Sequence, residues 1–147
     1  MNLADYAMKY IGVQEIPGPK SNPIIKKWIQ DYHDNTEDSR ISWCSIFLMA
    51  LTDEFGFYNH GATVAAKSWK NCGIALERTQ DALAGDLVIF DRGKVGDWMG
   101  HVGIFHSWNV EGKMLVISGN DSDGVRLRPY SIYRLEKVVR LYQDATL

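Results

Sequence analysis

The sequence predicts an α+β domain in which N-terminal helices pack on a C-terminal antiparallel β-sheet. Apolar residues recur at steps of three and four in the first half of the chain. Short β-rich runs punctuated by glycine fill the second half, and the two kinds of segment do not alternate as βαβ units require. A length of 147 residues fits one domain over 1–147, and 46% apolar with 23% charged residues is the composition of a chain that folds.

The first helix is read from Leu3, Ala7, Tyr10 and Ile11, and it breaks at Ile16-Pro17-Gly18-Pro19. Ser21 or Asn22 caps a second helix with Pro23 at its first position and Ile24, Ile25, Trp28 and Ile29 on its apolar face, fading near Asp34-Asn35. After a polar stretch from Asp34 to Arg40, the run Ile41 to Leu51 is apolar on nearly all sides, which predicts a buried central helix closed by Gly56. A short amphipathic piece at Ala65 to Asn71 ends at Gly73. Strands are expected at Asp86 to Asp91, Gly100 to Ser107, Lys113 to Ser118, Val125 to Tyr130 and Lys137 to Tyr142. Glu111-Gly112 should join two of them as a hairpin.

A formal net charge of -2 supplies no basic field, so nucleic acid is not an expected partner. No apolar run is long enough to span a bilayer, and Asp5 and Lys9 interrupt the opening segment, so neither membrane insertion nor a signal peptide is expected. The spacing of Cys44 and Cys72 leaves a single bridge open; the reading preferred is two free thiols made in a reducing cytoplasm. His33 and His60 have no companions at zinc-like spacing, so no metal or other cofactor is expected. The chain is expected to act as a monomer.

Cys44 stands at the start of the apolar helix, where partial positive charge and free N–H groups stabilise a thiolate and can hold an oxyanion. A free cysteine is more often just a small buried hydrophobe. His101, bracketed by Gly100 and Gly103 at the head of a strand, is the base expected to meet it. Asn120 follows at the next strand end and is the candidate for orienting the imidazole, with Asp121 as the substitute; both are also ordinary turn formers. Glu15, Trp43, Trp98 and Trp108 are candidates for lining a substrate groove, and Asp121 for contacting substrate.

The order Cys44, His101, Asn120 resembles the papain-like arrangement. The strings Ser42-Trp43-Cys44-Ser45, Ala84 to Phe90, Trp98 to Ile104 and Ser118-Gly119-Asn120 resemble the NlpC/P60 and CHAP superfamily. The opening, Tyr10 to Gly18 with Ser21-Asn22-Pro23, resembles a small phage and bacterial subgroup. The resemblance implies a papain-like NlpC/P60 fold and a cysteine hydrolase that cuts an amide bond of bacterial peptidoglycan, as an endopeptidase or an amidase. Many NlpC/P60 relatives carry Asp before the cysteine and a third-position histidine, where this chain has Trp43 and Asn120. Without a signal peptide, such an enzyme is expected to reach the wall after release, as a phage endolysin, a secreted effector or a tail protein. The rival expectation is a non-catalytic wall-binding module of the same fold, or a hydrolase of another amide.

Overall fold

The computed structural model describes residues 1–17 and 20–143. Helix α1 (Leu3–Ala7) opens on a capping box in which Asn2 and Asp5 satisfy each other's backbone N–H groups. It tightens into a 3-10 turn at Met8–Tyr10, so the expected helix through Ile11 is only partly α-helical. The break foreseen at Ile16 to Pro19 falls partly outside the described residues, since 18 and 19 are not among them. Helix α2 (Pro23–Tyr32) is capped by Asn22, whose side chain accepts from the Ile24 N–H at 2.9 Å, and it buries Ile25, Trp28 and Ile29. Helix α3 (Cys44–Phe55) is buried from Cys44 to Thr52 and ends at Gly56, whose left-handed φ of 97° suits glycine. The expected amphipathic piece is a 3-10 helix, Ala66–Cys72.

Among the described residues the sheet has six strands: β1 (Gly73–Ala75), β2 (Leu87–Asp91), β3 (Gly100–Trp108), β4 (Met114–Asp121), β5 (Gly124–Tyr130) and β6 (Leu135–Leu141). Their order is β1-β6-β2-β3-β4-β5, with every pair antiparallel. Strand β1 was not expected: three residues led by glycine carry no periodicity, and only pairing with β6 makes them a strand. This is the expected α+β architecture of helices on an antiparallel sheet.

Alternation gives the sheet two buried faces. Leu87, Ile89, Val102, Ile104, Ile117 and Val139 lie under the helices with Phe47, Leu48 and Leu51 of α3. Val88, Phe90, Phe105, Met114, Val116 and Val138 form a second cluster on the other face. His101 pairs with Phe90 across β2 and β3, so its side chain starts from this second face. Strand β4 is regular to Ser118, then its register to β5 shifts before Asp121, and Asn120 takes a left-handed φ of 55°. Ser122 and Asp123, with φ of 47° and 63°, turn the chain into β5.

Gly119 holds α3 against the bulged end of β4. A Cβ there would lie 2.7 Å from a Trp43 ring carbon and 2.9 Å from the Phe47 Cβ. Gly119→Ala should therefore cost about 1 to 3 kcal/mol, lowering the melting temperature by roughly 2 to 4 °C for each kcal/mol. Calorimetric melting of the variant checks this.

Candidate active site

Cys44 is the first residue of α3, and its residue surface is only 2% exposed. Ser45 fixes this helix end: it donates to the Thr63 carbonyl and accepts from Trp69 Nε1 at 2.8 Å, which ties α3 to the segment walling the site. The cysteine opens on a cavity of about 240 Å³ lined by Ser42, Val64, Ala66, Arg92, Trp98 and Met99, among others. Burial pushes its thiol up from the ordinary value, while the Val102 N–H, the Ser42 hydroxyl, the Arg92 charge and the Ser45 N–H pull it down. Burial wins, so the resting sulfur is a neutral thiol rather than the activated thiolate expected from the helix start alone.

His101 is 1% exposed, and both of its ring nitrogens are engaged. Arg92 Nη2 lies 3.0 Å from Nδ1, and since a guanidinium only donates, Nδ1 is the acceptor. The ring proton is then on Nε2, which donates to Ser118 Oγ at 2.9 Å. The ring stacks on Tyr130 with centroids 5.6 Å apart, and Tyr130 stacks on Phe90 at 4.9 Å. Tyr130 donates to Asp121 Oδ2 at 2.9 Å, and Arg128 pairs with Asp121 Oδ1 at 3.2 Å. Burial first, and then the Arg92 charge, lower the His101 pKa to about 4, against a smaller upward pull from Asp121. This ring borders a second cavity of about 540 Å³ lined by Phe90, Arg92, Tyr130, Tyr133 and Arg134. Arg92 lines both cavities.

The expected third residue is displaced. Extending the Ile104–Ile117 pairing would set Asn120 opposite His101, but the bulge after Ser118 turns it away. Asn120 Nδ2 donates instead to Ser42 Oγ at 3.2 Å, so it braces a neighbour of the thiol, and Ser118 takes the imidazole. Asp121 is 8% exposed and bonds to Tyr130 and Arg128 rather than to the ring. Trp43 is fully buried and donates from Nε1 to Glu15 Oε2 at 2.9 Å, which makes Trp43 a packing element rather than groove lining and engages the half-buried Glu15 carboxylate. Trp98, 76% exposed, does line the Cys44 cavity. Trp108 packs on Phe105 at the far end of β3. Both cysteines are free. Ser118 was legible in principle, as the residue on β4 sharing a face with Val116 and thus with His101. Arg92 carried no sequence signal, because its neighbour is set by the β2–β3 register.

Lys67 anchors the loop between β2 and β3 that carries Trp98. Its ammonium pairs with Asp91 at 2.6 Å and Glu136 at 3.1 Å, and donates to the Asp97 carbonyl.

The imidazole has a measurable consequence. An unfolded histidine takes its proton near pH 6.5 and the folded one only near 4. Between these values the unfolded state binds more protons, so stability falls as the pH is lowered, by at most about 1.4 kcal/mol per pH unit. Nitrogen-15 spectra should show the Nε2-protonated neutral ring down to about pH 5. Titration near the ordinary histidine value would contradict the arrangement.

Solved structures share this fold. NlpC2 from Trichomonas vaginalis aligns over 97% of this chain and 46% of its own, with a TM-score of 0.61 and 18% identity. NlpC1 from the same organism aligns over 95% and 42%, with a TM-score of 0.59 and 20% identity. The wild-type endolysin LysIME-EF1 aligns over 98% and 64%, with a TM-score of 0.60 and 14% identity. The chain therefore spans under two thirds of each, and at these identities the likeness establishes the NlpC/P60-like fold. No curated protein matches the sequence. The model of the CHAP domain matches residues 35–120, from the loop before Cys44 through His101 to Asn120; the chain belongs to the CHAP domain family.

Proposed function

We propose that this protein is a cysteine hydrolase that cleaves an amide bond in bacterial peptidoglycan, with Cys44 as nucleophile and His101 as general base. The observation that carries the reading is a cysteine on the first turn of a buried helix, lining an open cavity beside a cation that also holds a neutral imidazole. Membership of the CHAP family and the fold shared with an endolysin support the choice of substrate.

In the reaction, His101 Nδ1 is freed from Arg92 and takes the Cys44 proton. The thiolate attacks the scissile carbonyl, and first-turn N–H groups of α3 hold the oxyanion. As the intermediate collapses, the C–N bond breaks and the imidazolium protonates the departing amine. Water, deprotonated by His101, then attacks the thioester, releasing a carboxylic acid and restoring the thiol. Ser118 keeps the ring in its tautomer throughout, the role expected of Asn120, while Asn120 positions Ser42 beside the sulfur. Trp98 offers an aromatic wall to substrate.

A non-catalytic wall-binding reading draws on one observation: the resting thiol is neutral and the imidazole is occupied. New amino groups released from purified peptidoglycan separate the two. Cys44→Ala and His101→Ala should each lower the release rate by several orders of magnitude, and Ser118→Ala by a smaller factor of roughly ten to a hundred. Cys44→Ala should stay within about 1 to 2 kcal/mol of wild-type stability. Mass spectrometry of the muropeptides identifies the bond, and wild-type release by Cys44→Ala would falsify the proposal.

A further inference from the structure

Arg92 is an exposed cation at the end of β2 whose side-chain hydrogen bond goes to an imidazole. Among the described residues no carboxylate pairs with it, and the acidic groups of this region are already engaged. Asp91 is held by Lys67, Asp97 accepts from the Trp98 N–H at 2.8 Å, and Asp121 is held by Tyr130 and Arg128. A guanidinium presents a planar fork of donors that matches a carboxylate, and a single contact to a neutral ring nitrogen leaves most of that capacity unused. The contact also occupies the lone pair that a general base needs. Because Arg92 lines both the Cys44 cavity and the His101 cavity, an anion bound there would draw it from Nδ1 without leaving the site.

We propose that Arg92 is a specificity-determining latch: it binds a free carboxylate of the substrate peptide and, in doing so, releases His101 to act on Cys44. The inference rests on the cysteine hydrolase reading above. It assigns the substrate class as peptides with a free carboxylate near the scissile amide, and it makes the base available only when such a substrate is seated. Water and uncharged amides meet an enzyme whose imidazole is still held. Arg92 touches the substrate carboxylate and acts on the chemistry through His101.

Two measurements test it. The first compares soluble muropeptides with free stem carboxylates and the same preparation converted to carboxamides. Wild type should prefer the carboxylate form by roughly tenfold to a hundredfold in kcat/KM, the worth of a hydrogen bond to a charged group. Arg92→Met should abolish that preference, raising KM on the carboxylate form to that of the carboxamide form. Arg92→Lys should keep part of the preference. A purely structural role would lower kcat on both substrates alike. The second measurement uses Cys44→Ala protein, which binds without turnover, and follows the His101 ring nitrogens by NMR as a synthetic stem tripeptide is added. The carboxylate tripeptide should shift Nδ1 and its carboxamide twin should not. Equal preference in wild type and Arg92→Met, or no Nδ1 shift with the carboxylate tripeptide, overturns the latch. Turnover that survives in Cys44→Ala overturns the hydrolase reading instead, and Cys44-dependent turnover that ignores Arg92 overturns the latch alone.

Discussion

Helix α3 is apolar on nearly all sides as far as Leu51, and the fold is arranged to surround that stretch. Helices α1 and α2 cover one flank and the sheet covers another, so that Phe47, Leu48 and Leu51 are fully buried. The first turn of a helix leaves N–H groups without intrahelical partners, and Cys44 sits at that turn, beside Val102 of β3. The same burial that builds the core denies the sulfur easy ionisation. His101 borders the neighbouring cavity, its ring bonded to Arg92 and Ser118 rather than to the sulfur, and Arg92 is the residue that lines both cavities.

A polar layer lies on the outer face of the sheet. Arg92, His101, Ser118, Tyr130, Asp121 and Arg128 form a chain of hydrogen bonds and ring stacking around a buried imidazole. Every polar atom of the ring has a partner, as a buried group requires, and the partners fix one tautomer. In the proposed mechanism that order holds the base in reserve. Arg92 contributes to both sides of the site, since its charge lowers the thiol pKa and the imidazole pKa alike.

Much of this was legible in the sequence. Asn22-Pro23, the apolar run into α3, the Gly56 stop and five of the strands follow from capping, periodicity and turn chemistry. Strand β1 was not, because its three residues have no pattern without β6. Cys44 at a helix start and His101 at a strand head were visible for the same local reasons. The partner of the ring was not, since a bulge moves Asn120 off the register that the hairpin would otherwise impose. Trp43 read as groove lining because aromatic residues near a nucleophile invite it, whereas the Glu15 hydrogen bond and the aromatic cluster bury it. Arg92 owes its role to a loop end and a cross-strand neighbour, neither of which a linear pattern encodes.

In the proposed mechanism hydrolysis passes through an acyl-enzyme on Cys44. Digestion of muropeptides in the presence of hydroxylamine, followed by mass spectrometry of the products, addresses it directly, because hydroxylamine competes with water for a thioester. Wild type should yield an acyl hydroxamate and Cys44→Ala none. Efficient digestion that yields only the carboxylic acid, at hydroxylamine concentrations that capture a model thioester, would contradict it.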